Sequence, residues 1–310
     1  MTGSLQLEPT TVRAAEVDAF ATAVAGLHID YVRTGAGHAP CVVTAADTGD
    51  ATLSVGSVGF SVIADTEIPS DRNVFALITV APRGAKWNGM EVRPGDVFAY
   101  APSTTFVGIE PAEMAAAILV TPPQTANRIA SDLGLGDPVV RRSVAPLARS
   151  PGVRRVAAMM QRASLQPGAM SDRVLLTTLV EAEVGVMKEH RSPRRNGSRR
   201  LDSRAIVRNC LDYTESERVT QPSLSELCRA GFASESRVRQ AFIDVLGVPP
   251  SRYFQLRLLS RLRSELVAAR PERASVTEIA MSLGVTQLGR VAGRHKSAYG
   301  ELPSATLRRN

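Results

Sequence analysis

The chain has 310 residues, of which 44% are hydrophobic and 22% charged, with a formal net charge of +7. That length and apolar content predict two ordinary domains, each burying its own core, and exclude an intrinsically disordered chain. Three cysteines, Cys41, Cys210 and Cys228, at no paired spacing speak against a disulfide framework or a cysteine-rich zinc site. The opening MTGSLQLEPT has neither a basic nor an apolar leader region, and no apolar run is long enough to cross a bilayer, so the expectation is a soluble cytoplasmic protein without membrane contact. The charge is uneven: residues 1–190 carry 15 Lys+Arg and 19 Asp+Glu, whereas residues 191–310 carry 22 and 11. A basic third joined to a mildly acidic remainder is expected where only the last part meets a polyanion.

Residues 1–150 form the first predicted unit. From Cys41 to Val120 the chain is rich in Val, Ile, Thr and Phe, and PSDR at 69–72, WNGM at 87–90 and RPGD at 93–96 supply turns at short intervals. Asn88-Gly89 is a hairpin signal, because both residues accept the positive φ that a two-residue turn requires. Short strands so spaced predict an antiparallel barrel or sandwich, with Phe75–Val80 and Val97–Tyr100 as its clearest strands. Phe75, Trp87, Phe98 and Tyr100, together with Phe60 and Phe106, are candidates to line an effector pocket, although each is equally well explained as filled core. Only His28 and His38 precede the middle of the chain, so no His-x-His metal constellation forms. Neither a metal nor a cofactor is expected.

Residues 151–190 return to helical periodicity, with Val153, Val156, Ala157 and Met160 on one stripe and Val174, Leu175, Thr178, Leu179, Ala182 and Val186 on another. The second stripe could dock on the same chain or pair with a second copy. Residues 191–200, RSPRRNGSRR, read as a basic linker.

Residues 201–310 contain a duplication. LGVPPS at 246–251 and YGELPS at 299–304 share Gly-x-x-Pro-Ser 53 residues apart, and LSEL at 224–227 matches VTEI at 276–279. In each copy a short helix, a turn and a second helix are predicted. Ser223 and Ser234 are placed as N-caps, Val238, Ala241, Phe242 and Val245 as an apolar stripe, and Gly247 as the left-handed residue that ends the helix. Ser236, Arg237, Arg239 and Gln240 then face outward, with the donors and acceptors that suit major-groove base edges. Between the copies, Ser251–Ala269 reads as a long amphipathic connector helix holding two recognition helices for successive major grooves roughly 34 Å apart.

These residues, LSELCRAGFASESRVRQAFIDVLGVPPSRYFQLRLLSRLR followed by VTEIAMSLGV and YGELPS, resemble the AraC/XylS family of bacterial transcription regulators. The resemblance implies a seven-helix DNA-binding domain on a promoter half-site, with Ser236, Arg239 and Gln240 as base readers and Arg237 beside them. It also implies a homodimer, and RNA polymerase as a partner if the protein activates. RPGDVFAYAP is similar to the cupin-like regulatory domain that often precedes that module. The second copy departs from the pattern: Val285, Val291 and His295 stand where the family has aromatic residues, and Gly289 and Gly293 interrupt the recognition helix. It is therefore expected to anchor the DNA backbone through Arg290, Arg294 and Lys296 while the first copy discriminates sequence.

The resulting expectation is an α+β multidomain, non-enzymatic, sequence-specific regulator of double-stranded promoter DNA. Its first 150 residues would answer to a small-molecule effector or mediate dimerisation. The alternatives are a nonspecific architectural DNA binder and an alkyl-transfer DNA-repair enzyme carrying the same module.

Overall fold

The computed structural model describes residues 9–14, 19–21, 24, 26–35, 39–134, 146–147, 150–166, 173–189 and 202–309. The expected linker at 191–200 lies outside them. Among the described residues eleven strands come first: β1 (Thr10–Ala14), β2 (His28–Arg33), β3 (Cys41–Asp47), β4 (Thr52–Ser57), β5 (Val62–Glu67), β6 (Asn73–Val80), β7 (Lys86–Trp87), β8 (Met90–Glu91), β9 (Val97–Tyr100), β10 (Thr105–Glu110) and β11 (Ala115–Thr121). They pair antiparallel in two sheets, one ordered β1-β3-β4-β11-β6-β9 and the other β2-β5-β10-β7-β8. Of the two architectures expected, this is the sandwich-like one: two sheets face each other across a shared core and do not close into a single barrel. Asn88 and Gly89 turn between β7 and β8 with φ of 51° and 74°, as the hairpin requires.

Strand alternation divides the apolar residues between the two faces of each sheet. Along β6, Val74, Ala76 and Ile78 point into the sandwich, while Phe75 and Leu77 point out of it. The outer face of the six-stranded sheet is covered by α1 (Pro123–Asp132), α2 (Pro151–Leu165) and α3 (Arg173–Glu189), which pack Ile129, Val156, Met160 and Leu179 against Phe75 and Leu119. The described apolar side chains of these helices, among them Val153, Val156, Met160, Leu179, Val184 and Val186, join the cluster on this sheet. Of the expected α3 stripe, Leu179 and Val186 are buried, Ala182 is half-buried and Thr178 is exposed, while Glu183 and Val184 are buried beside them; the side chains of Val174 and Leu175 lie outside those described.

Seven helices follow: α4 (Ser203–Ser216), α5 (Leu224–Ala230), α6 (Glu235–Leu246), α7 (Pro250–Ala268), α8 (Val276–Ser282), α9 (Leu288–Tyr299) and α10 (Pro303–Arg308). Ser223 and Ser275 each cap a short helix in a reciprocal capping box, with Glu226 and Glu278 respectively returning to the cap's own N–H. Gly247 and Gly300 end the second helix of each copy at φ of 73° and 77°. The duplication therefore extends to its hydrogen bonds. Helix α7 joins the copies, its first half packing Tyr253, Phe254 and Leu256 into the first and its second half Leu259, Leu262 and Leu266 into the second.

The outer face of the five-stranded sheet has no cluster of its own. Val32, Ile63 and Val107 share one with Val207, Leu211, Phe242, Val245 and Tyr253 of the first helical copy. Polar ties surround it: Arg257 Nε meets Asp30 Oδ2 at 3.2 Å, the Arg208 guanidinium pairs with Asp65, and the Arg33 N–H donates to Ser260 Oγ at 3.2 Å. Gly89 fits tightly there, since a side chain on it would come within 3.1 Å of the Asp244 carbonyl oxygen. The molecule is layered as helices, sheet, core, sheet and helix-turn-helix.

Candidate nucleic-acid interface and inner cavity

Helix α6 buries Val238, Ala241, Phe242 and Val245 and exposes Ser236, Arg239 and Gln240, with Arg237 half-buried beside them. The face expected from the sequence is brought together. Its side chains are lightly tethered: the Arg239 guanidinium lies 4.0 Å from Glu235, and the Gln240 amide donates to Asp244 Oδ1 at 2.7 Å. Exposed pairs of this kind are worth little and yield readily to a better partner.

The second copy presents less. Gly289, Arg290, Gly293 and Lys296 are exposed and Arg294 is half-buried, while the Arg290 guanidinium donates to Gln287 Oε1 at 2.8 Å. Beneath them Val285 and Val291, with Leu258, Leu259, Gln255 and Arg294, line a cleft of about 230 Å³. Small side chains at core positions leave that space unfilled, as the missing aromatics predict. His295 is fully buried and its Nδ1 lies 2.9 Å from the Glu301 carbonyl oxygen, the contact of a structural histidine. A side chain added at either Gly289 or Gly293 would meet no neighbour within 4 Å. Gly293→Ala is therefore expected to raise stability by about 0.5–1 kcal/mol, and Gly289→Ala, in the first turn, by less. Urea unfolding at constant slope is the check, and a loss of stability from Gly293→Ala would show that the glycine meets a need absent from the helix itself.

The basic excess of the last third overstates what is available to a polyanion. Arg208 pairs with Asp65 and Asp212, Arg257 with Asp30 and Glu215, Arg261 with Glu215, and Arg263 with Glu301. Part of the charge asymmetry is internal complementarity between the sandwich and the helices.

Inside the sandwich, a small cavity of about 40 Å³ is walled by Phe20, Tyr31, Trp87 and Phe106, with Ser54 and Glu110 among its few polar neighbours. Of the four residues singled out from the sequence, Trp87 lines it. Phe98 and Tyr100 are buried in the surrounding core, Phe98 5.0 Å and Tyr100 6.4 Å from Trp87 between ring centroids. Phe75 lies on the other face of β6 against the helices, because odd and even positions of a strand point to opposite sides. Glu110 was missed. The alternation of β10 carries the signal, since Phe106, Gly108 and Glu110 share the inner face while Val107 faces the helix-turn-helix. Burial pushes the Glu110 carboxyl up to about 7, against the pull of the Trp87 indole.

Burial also raises all three thiols, Cys210 to about 12 and Cys41 and Cys228 by less. A reactive thiol is favoured by the opposite shift. Among the described residues, no group of three or more His, Cys, Asp or Glu is placed to hold a metal ion, and no helix is long and apolar enough to cross a membrane.

Residues 227–309 match the family model described as a helix-turn-helix domain. The probable thc operon regulatory protein of Rhodococcus erythropolis is 32% identical over 103 residues, 33% of this chain and 31% of that protein. The XylDLEGF operon transcriptional activator of Pseudomonas putida is 37% identical over 86 residues, 28% of this chain and 27% of that one. The similarity thus covers less than a third of either relative's length. The crystal structure of the AraC-like transcriptional activator CuxR is similar over 97% of this chain and 99% of that chain, at 11% identity and a TM-score of 0.44, a likeness too loose to place a ligand or a site.

Proposed function

We propose that the chain is a sequence-specific regulator of promoter DNA of the AraC/XylS type in which the two copies work unequally, a reading supported by the helix-turn-helix match over residues 227–309 and the likeness to an operon activator. The observation that carries this is the contrast between two recognition helices on matching frames. One presents Ser236, Arg239 and Gln240 to solvent, the other two glycines and Arg290. Arginine forks onto guanine and glutamine onto adenine, so the first helix discriminates. Arg290, Arg294 and Lys296 hold phosphates, which fixes register without reading sequence.

On this reading residues 1–150 sense a small molecule in the inner cavity, residues 151–190 brace the sandwich, residues 191–200 link, and residues 201–310 bind DNA. Leu179 and Val186 of the α3 stripe lie against the chain's own sheet, and a homodimer would use surface that they leave free. Recruitment of RNA polymerase would follow if the regulator activates.

Arg239→Ala is expected to weaken binding to the operator by about 1–3 kcal/mol and to relax sequence preference, whereas Arg294→Ala weakens all duplexes about equally. The measurement is selection of genomic fragments by the purified full chain at near-physiological salt, followed by gel-shift titration of each variant on the selected and a scrambled site. A motif strong in one half and faint in the other supports the unequal division. Equal binding of any duplex, with a steep salt slope and no motif, would make the protein an architectural binder instead.

A further inference from the structure

The polar groups of the inner cavity have no reason to be there if it is only core. Ser54 and Trp87 are each 2% exposed; Ser54 Oγ has no hydrogen-bond partner, and Trp87 Nε1 leans on the Glu110 carboxylate without completing a hydrogen bond. Buried polar groups are nearly always paired, so an orphan hydroxyl and an incompletely satisfied indole N–H in the wall of one cavity indicate a missing polar occupant. Glu110 adds a carboxylate to the same wall. Gly108 makes room for it, because a side chain there would lie 2.9 Å from Trp87 Nε1 and 3.0 Å from Glu110 Oε1. The indole edge and the carboxylate thus converge over one glycine. No Arg, Lys or His among the described residues pairs with Glu110, and burial holds its carboxyl at about 7.

What would satisfy this wall follows from its chemistry. A carboxylate without a counter-ion calls for a cation or a strong donor. Phe20, Tyr31, Trp87 and Phe106 surround the same space, Phe20 and Tyr31 with ring centroids 5.7 Å apart and Trp87 and Phe106 5.1 Å apart. Aromatic faces attract cations and repel anions. An anionic ligand would meet both those faces and Glu110. At roughly 10–15 Å³ per water, the space of about 40 Å³ admits about three waters or a ligand with a few heavy atoms.

We propose that the inner cavity binds a small apolar amine in its ammonium form, with Glu110 as the counter-ion and the aromatic walls as its cage. This rests on the reading of the sandwich as the effector-sensing part and names the chemical class that part takes. Tyr31 and Cys41 are the titratable neighbours that feel the Glu110 charge, and both are held neutral by burial.

Trp87 is the chain's one tryptophan, so its emission reports on this cavity alone. The full-length protein is titrated at pH 8 with isobutylamine, isobutanol and isobutyrate while that emission is followed. The expected result is a saturable shift with isobutylamine at least about tenfold tighter than with isobutanol, and none with isobutyrate. Glu110→Gln is expected to weaken the amine about tenfold or more while leaving the alcohol within about twofold, because the amide keeps the shape and removes the charge. Should the variant not fold, the amine-to-alcohol ratio in the natural protein decides. Isobutanol or isobutyrate binding as tightly as the amine would overturn the ammonium assignment and leave an effector cavity standing. No shift with any probe up to tens of millimolar would overturn the cavity reading too.

Discussion

Arg257→Ala is expected to lower the stability of the full chain by about 2–3 kcal/mol, more than any surface ion pair would account for. The Arg257 side chain is 5% exposed and reaches three partners: Asp30 on β2 at 3.2 Å, the Thr214 hydroxyl on α4 at 3.1 Å, and the Glu215 carboxylate. It ties a strand of the sandwich to α4 and to the connecting helix α7. Removing it leaves a void, deprives Asp30 of its partner and leaves Glu215 with Arg261 alone. Those carboxylates are 44% and 56% exposed, so water takes over much of the lost solvation, and the loss stays below the range for a fully buried pair. Arg257→Met, which restores most of the stem, should recover about half the loss, since part of it is packing rather than charge. Urea titrations of the three proteins check this. If Arg257→Ala stays within about 0.5 kcal/mol of the natural chain, the tie contributes nothing to holding the layers together.

Glu183→Gln is expected to stabilise the protein, by an amount that grows with pH. Glu183 on α3 is fully buried, its Oε2 accepts from the Thr121 hydroxyl at 2.7 Å, and burial pushes its carboxyl up to about 8 from 4.5. The folded chain therefore binds a proton that the unfolded chain releases above pH 4.5, and folding loses roughly 1.4 kcal/mol per pH unit between the two values. The stability is complete below about pH 4.5 and is lost as pH rises through 8. Glutamine keeps the acceptor for Thr121 and has no proton to lose. The variant should match the natural protein near pH 4 and exceed it by on the order of 3–5 kcal/mol at pH 8 and above. Urea midpoints at half-unit intervals of pH test this. A difference independent of pH would mean that Glu183 does not carry its proton in the folded chain.

The helix-turn-helix copies were legible because they obey local rules. A serine three residues before a glutamate, an i, i+3, i+4 apolar stripe and a glycine before a proline act within a few residues of each other. The duplication then repeated the message. The sheets were legible as strands but not as faces. A run such as NVFALITV on β6 is buried on both sides, so nothing in its composition says that Phe75 points to helices and Ile78 to the core. The cavity was missed at Glu110 for a related reason. A charged residue at a strand end reads as surface, although its alternation with Phe106 and Gly108 points inward, and pairing with β5 and the approach of Trp87 over Gly108 hold it there. The charge asymmetry was read as a message to DNA, yet Asp30 and Asp65 answer part of it within the chain. Complementarity between distant segments is a tertiary fact.

The cluster joining Val32, Ile63 and Val107 to Phe242, Val245 and Tyr253 bears on how such a protein could be rebuilt by recombination. A helical half transplanted onto a foreign sandwich would bring one side of a fitted surface without the other, and its apolar patch would then court aggregation. Inherited together, the two halves share a seam along which a change in one is felt by the other. Substitutions at Val32 or Gly89 would therefore drift in step with those on the back of α6, the helix that presents Arg239 and Gln240.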